Sequence, residues 1–181
     1  MISGEIYTLG HRNRALTELI DLSHTTGIQI LVDARAHPVS RRHPYFRRER
    51  LQQDLKHAGV GYQWMGDQLG GRPVSRPSSA HVALSRGMRS FADHMCTNDF
   101  RTAIRALLAL ADRFRTVLMC AERHPVQCHR SLIADYLTNR GATVIHLIDF
   151  DEQYKHRMHP AARSVTDSVV YDCYATGQLD L

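Results

Sequence analysis

No apolar run in this chain approaches the length that crosses a membrane, and the N-terminal MISGEIYTLGHRNR lacks the apolar core of a signal peptide. A soluble, cytoplasmic protein with no membrane partner is therefore expected. Cysteine is sparse. Cys96, Cys120, Cys128 and Cys173 form no CxxC pair, which argues against a disulfide framework. No internal repeat and no low-complexity linker interrupts the chain. The cysteine-phosphatase loop, a cysteine followed six positions later by arginine, is also missing, because Val126 stands where the arginine would be. Membrane, secreted, repeat and cysteine-phosphatase classes are set aside on these grounds.

What remains suits one domain. The 181 residues are 43% hydrophobic, enough for a sizeable core. The net charge of +5 and a pI of 9.3 favour anionic partners, either small phosphorylated molecules or nucleic acid. A charge of this size also serves solubility alone.

Short apolar runs at 5–9, 28–32, 60–65, 117–119 and 142–148 alternate with helical patterns. That alternation predicts an α/β fold, a single three-layer domain with a mainly parallel sheet of about five strands flanked by helices. Asn13 is the expected cap of the first helix and Asn98 of the longest one. Gly27, Gly59 and Gly141 are expected helix stops. The face Phe100, Ile104, Leu107, Leu108, Ala111 and Phe114 reads as core. Residues 1–150 carry this pattern. Residues 151–181 read as a C-terminal extension, in which 168–174 can add an edge strand.

In a parallel sheet the strand ends share one edge, where open α/β sheets place ligands. Gly10, His11 and Arg12 follow the first strand, and Asp33 and Arg35 the second. Gly70, Gly71 and Arg72 follow the third, Cys120 and Glu122 the fourth, and Asp149 the fifth. Residues 36–50, AHPVSRRHPYFRRER, set Arg41, Arg42, Arg47, Arg48 and Arg50 around Tyr45 and Phe46. Arginine interleaved with aromatics suits phosphate contact with base stacking, or else a solvated basic loop. Residues 74–89 read as a Ser-, Arg- and Pro-rich lid.

The stretch TVLMCAERHPVQCHRSLIADYL, 116–137, is the centre of this reading. A buried strand runs through polar chemistry into a helix start, which favours an anion and eases thiol ionisation. Cys128 is the candidate nucleophile, beside His129 and Arg130. Cys120, at the end of a buried strand, reads equally as a small core residue. Glu122 can act as acid or base if burial raises its pKa, and His11 and His129 can move protons. Gly10, Arg12, Asp33, Arg35, Arg41, Arg42, Arg72 and Arg130 are candidates for binding the substrate. Arg12 and Arg35 can instead be held in salt bridges with Asp33 or Glu122. His146 reads as a satisfied core histidine. No cofactor is expected. A metal would use Cys120, Cys128 and His129, with His11 or His124. The seven-residue gap and the adjacent Cys-His pair do not match standard zinc spacings.

TLGHRNR at 8–14, LVDARAHPVSRRHPYF at 31–46, LGGR at 69–72 and MCAERHPVQCHRSLIADYL at 119–137 resemble, in that order, the bacterial and archaeal family named domain of unknown function 488. The resemblance implies a single α/β domain. It also implies matching motif positions at Gly10, His11, Arg12, Asp33, Arg35, Cys120, Glu122, Cys128, His129 and Arg130. The chain departs from the family at Ala34, where valine is usual, and at His94, where an aromatic is usual. The resemblance supplies no reaction. The residues point to an enzyme acting on a phosphate-bearing substrate, a nucleotide or nucleic acid. A non-catalytic nucleic-acid-binding module and a metal protein are the alternatives.

Overall fold

A computed structural model describes residues 4–39, 43–70 and 78–172. Six strands form the main sheet: β1 (Glu5–Gly10), β2 (Ile30–Asp33), β3 (Gly61–Trp64), β4 (Thr116–Cys120), β5 (Thr143–Leu147) and β6 (Gln153–Lys155). Their order is β3-β2-β4-β1-β5-β6. The first five are parallel, and β6 runs antiparallel on β5. The sheet therefore has one strand more than expected. The extra strand is three exposed residues long, too short to show a period of two.

Side-chain alternation along the strands divides the core into two layers. Tyr7, Leu9, Leu31, Val117 and Met119 pack with α1 (Leu16–Thr25) and α2 (Arg48–His57). Ile6, Val32, Leu118 and Val144 pack with α4 (Arg86–Met95), α5 (Asn98–Ala111) and α6 (Arg130–Asn139) on the other face. A single turn, α3 (Gly66–Leu69), follows β3. The chain moves one way across the sheet through α1 and α2, then the other way through α4, α5 and α6. Such a reversal puts the helices that follow β1 and β4 on opposite faces. The loops leaving these neighbouring strands diverge and open a crevice. The register levels the strand ends, with Gly10 opposite Cys120 and Asp33 opposite Met119.

Several expected boundaries move. The N-cap of α1 is Ala15, not Asn13, because the buried Arg14 ties the turn down by donating to Gly10 O at 3.0 Å. Thr97 rather than Asn98 caps α5, its hydroxyl accepting from Phe100 N. The expected edge strand near 168–174 is not part of the main sheet. Instead β8 (Ser168–Tyr171) pairs with β7 (Ala162–Val165) in a separate ribbon, and Val169 and Tyr171 pack into the α6 core. Gly27, Gly59 and Gly141 stop α1, α2 and α6 with positive φ, as expected. The expected lid at 74–89 lies partly outside the described residues, and α4 begins at Arg86 within it. Among the described residues no helix is long and apolar enough to cross a membrane.

Candidate functional site

Pairing between β1 and β4 continues beyond the strands. His11 N donates to Cys120 O at 3.1 Å and Arg12 N to Ala121 O at 2.7 Å. This close approach requires glycine at position 10, where a Cβ would lie 1.7 Å from Glu122 O. The same requirement holds at Gly70, where a Cβ would lie 1.9 Å from Ala34 O. Gly10 and Gly70 thus admit backbone of this chain. Arg12, with a positive φ of 24°, reaches Glu122 at 2.5 Å. The pair is 53% and 40% exposed and forms the rim, so Glu122 lacks the burial that an acid–base role was expected to draw on.

The end of β2 supplies a fixed cation. Asp33, fully buried, holds Arg35 through two parallel bonds, Nε to Oδ1 at 2.8 Å and Nη2 to Oδ2 at 2.6 Å. Tyr62 also donates to Asp33, at 2.8 Å, and Trp64 Nε1 donates to Arg35 O at 2.9 Å. The free edge of the guanidinium turns to His11, with Nη1 to Nε2 at 3.2 Å. Burial, then the Arg35 charge, lowers the His11 pKa to about 4, so the ring is neutral at pH 7.

The strand β4 and the start of α6 bring two thiols together. Cys120 Sγ and Cys128 Sγ lie 2.9 Å apart. His129 places one ring nitrogen 3.8 Å from each sulfur, and Arg130 N points to Cys128 Sγ at 3.5 Å. The Cys128 pKa falls well below the usual thiol range. The Cys120 hydrogen bond is the main cause, and His129 and the Arg130 amide add to it against the cost of burial. Cys120 shifts upward, through the same bond and then burial.

These parts surround one hollow of about 560 Å³, lined by His11, Arg35, Cys120, Glu122, Cys128 and His129. Met88 and Phe91 of α4 close its apolar side, with the Phe91 ring 4.5 Å from that of His129. Phe91 was not among the residues expected at a site. Only the crossing of α4 over the strand ends brings it there. Other expected residues stand apart. Asp33 lies beneath Arg35. Arg130 is fully buried, donating from Nη2 to Arg123 O at 2.9 Å. Asp149 pairs with Arg123 at 2.5 Å, away from the hollow. Arg41, Arg42 and Arg72 lie outside the described residues. Of the basic segment, Phe46 is buried with its ring 4.3 Å from His11, Arg48 lies over Trp64 at 4.1 Å, and Arg50 bonds Asp54. Phe46 is thereby committed to packing, not to a base.

The ligand atoms of Cys120, Cys128 and His129 fall within 4.8 Å of one another. Two thiolates on a tetrahedral zinc at 2.3 Å would stand roughly 3.8 Å apart. The observed 2.9 Å is closer than that.

A family model described as domain of unknown function DUF488 matches residues 15–137. The chain belongs to this family. No curated protein and no solved structure matches it. The DUF488 match takes in Arg35, both central cysteines, His129 and Arg130. Gly10, His11 and Arg12 lie just before it.

The DUF488 domain has a second, larger cavity of about 1140 Å³, which shares Met88 with the first. Its wall holds a chain of buried groups. Asp135 accepts from His156 Nε2 at 2.7 Å, His156 Nδ1 meets His146 Nε2 at 2.8 Å, and His146 Nδ1 meets Thr8 Oγ1 at 2.6 Å. One order of protons satisfies all three contacts with both rings neutral: Thr8 and His146 each donate toward Asp135, and His156 donates to it. Tyr171 adds a bond to Asp135 at 2.8 Å. His146 is thus a satisfied core histidine, as expected. The link to Asp135 was not anticipated. Its only sequence signal was a carboxylate among the apolar residues of the 132–137 helix pattern.

Proposed function

We propose that this protein is an enzyme that takes a small phosphate-bearing substrate, of the nucleotide class, into the hollow at the strand ends, with Cys128 as its nucleophile. The observation that carries the reading is that Cys128, whose pKa is lowered chiefly by the Cys120 hydrogen bond, lines the same hollow as Arg35. Arg35 is held in a fixed orientation by Asp33, so it presents its remaining edge with little entropy to lose. His129, beside both sulfurs, is placed to move the proton, and neutral His11 offers a polar contact without charge. Arg12 and Glu122 frame the entrance. Because the reaction needs a free thiolate, a reducing cytoplasmic setting belongs to the proposal.

The test is protection of Cys128 from iodoacetamide by phosphate and a panel of nucleotides, followed by turnover of whichever ligand protects. Protection at a stoichiometry of one, lost in Arg35→Ala, is expected. Cys128→Ser should still bind the ligand and lose turnover. If no member of the panel protects the thiol, the reading fails.

A metal seat at Cys120, Cys128 and His129 is the second reading, favoured by the convergence of their ligand atoms. Stoichiometric zinc in the purified protein by elemental analysis would place it ahead. Nucleic-acid binding through the basic segment has less support, because Phe46, Arg48 and Arg50 are engaged within the fold.

A further inference from the structure

Cys120 ends β4 and Cys128 precedes the N-cap of α6, yet their sulfurs are 2.9 Å apart, with both cysteines unbridged. A disulfide requires about 2.05 Å, so closing the bond takes a movement of less than about 1 Å, which side-chain rotation can supply. Both cysteines line the hollow, so an incoming molecule can reach the pair.

Arg130 gives a second, independent indication. It is fully buried, and its Nε and Nη1 have no hydrogen-bond partner among the described residues. A buried guanidinium with two idle nitrogens is expensive unless a negative charge lies nearby. Its backbone N–H points to Cys128 Sγ at 3.5 Å, so the thiol pair lies against it. A guanidinium behind the pair favours ionisation of one sulfur, and the thiolate is the form that attacks a disulfide.

We propose that Cys120 and Cys128 are a redox-active dithiol that reduces small anionic disulfides entering the hollow. The Cys128 thiolate attacks one sulfur of the substrate disulfide. The substrate S–S bond breaks, a mixed disulfide forms on Cys128, and the first thiolate leaves and takes a proton from water. Cys120 then gives up its proton and attacks Cys128 Sγ. The mixed disulfide breaks, and the second substrate thiolate leaves with the Cys120 proton. The substrate is reduced to two thiols and the pair is oxidised to an intramolecular disulfide, which an external dithiol reduces again. Arg35 on one wall and Met88 and Phe91 on another suit a substrate that carries carboxylates on a partly apolar body. This activity goes beyond the phosphate reading and shares with it Cys128, Arg35 and the hollow.

The probe is oxidised glutathione, applied to full-length protein with Cys96 and Cys173 replaced by serine and read by intact mass and peptide mapping. The expected product is the Cys120–Cys128 disulfide with no glutathione retained, and dithiothreitol should reverse it. Cys120→Ser should instead hold one glutathione on Cys128, and Cys128→Ser should take none. If the parent protein keeps both thiols free, or accumulates glutathione on Cys128 without closing the disulfide, the proposal is overturned. The second of those results would leave Cys128 standing as a nucleophile, so the two readings fail separately. The parent protein decides the matter even if Cys120→Ser does not fold.

Discussion

At the scale of single residues, Asp33 shows how a carboxylate can matter to a site without entering it. It is fully buried, it accepts both arms of Arg35, and it takes a third bond from Tyr62. Asp33→Asn leaves a buried guanidinium without its counter-charge. A loss of about 3 kcal/mol in urea unfolding is expected, together with weaker ligand protection of Cys128. An unchanged unfolding midpoint would show that Arg35 finds compensation elsewhere. The thiol pair supports a second residue-scale prediction. The Cys120 hydrogen bond is the main force lowering the Cys128 pKa. Cys120→Ala should therefore move the alkylation profile of Cys128 to higher pH, read as iodoacetamide rate against pH without Cys96 and Cys173. A profile that stays in place would assign the thiolate to His129 and the Arg130 amide alone. Sequence pattern pointed to Cys128, His129 and Arg35. It joined Cys120 to Cys128 only as ligands of the metal alternative, because eight positions of chain carry no information on how closely a loop folds back.

At the scale of elements, the site depends on how closely two loops approach. The turn after β1 meets the turn after β4 at Gly10, where a Cβ would strike backbone carbonyl and not a yielding side chain. Gly10→Ala is expected to cost about 2 kcal/mol or more by overpacking. Gly87 in α4 is the contrasting case, since a Cβ there meets nothing within 4 Å. Gly87→Ala should be neutral or stabilise by about 0.5 kcal/mol through helix propensity. Thermal unfolding of the two variants beside the parent would test both, and a shift of equal size and sign in each would contradict the packing argument. Strands β1, β2, β4 and β5 were legible because each is an apolar run bounded by polar residues. Strand β6 was not, because its residues are exposed and its place is set by pairing with β5. The caps at Ala15 and Thr97 were each misplaced by a short step. Local preference favours asparagine, but the tie from Arg14 and the Thr97 hydroxyl fixed the boundaries.

At the scale of the whole molecule, buried neutral histidines link stability to pH. Burial, followed by His156 and Arg130, lowers the His146 pKa to about 3 from an ordinary 6.5, and His11 falls to about 4. In the unfolded chain both rings take up a proton below pH 6.5, while in the folded chain they stay neutral. The unfolded state then binds more protons, so stability rises with pH across this window and is lost as pH falls from 6.5. Each ring contributes about 1.4 kcal/mol per pH unit, until about pH 4 for His11 and about pH 3 for His146. Urea midpoints should fall between pH 7.5 and 5, and His146→Gln should make that fall shallower. A midpoint independent of pH would mean that these rings are charged in the folded state.

The amino-acid sequence alone determined the α/β class, the positions of the five parallel strands to within two residues, and the clustering of polar groups at one sheet edge. Those features follow from local chemistry: apolar runs must be buried, and a parallel sheet levels its strand ends. The tertiary structure decided which of those polar groups share a hollow. Strand order set β4 between β1 and β2, and so put Cys120 and Cys128 between His11 and Arg35. Packing sent Arg130 inward, paired Arg12 with Glu122 at the rim, and carried His156 from beyond β6 to Asp135. Such contacts join residues far apart in the chain, and their free energy depends on burial and distance, neither of which exists until the layers have closed.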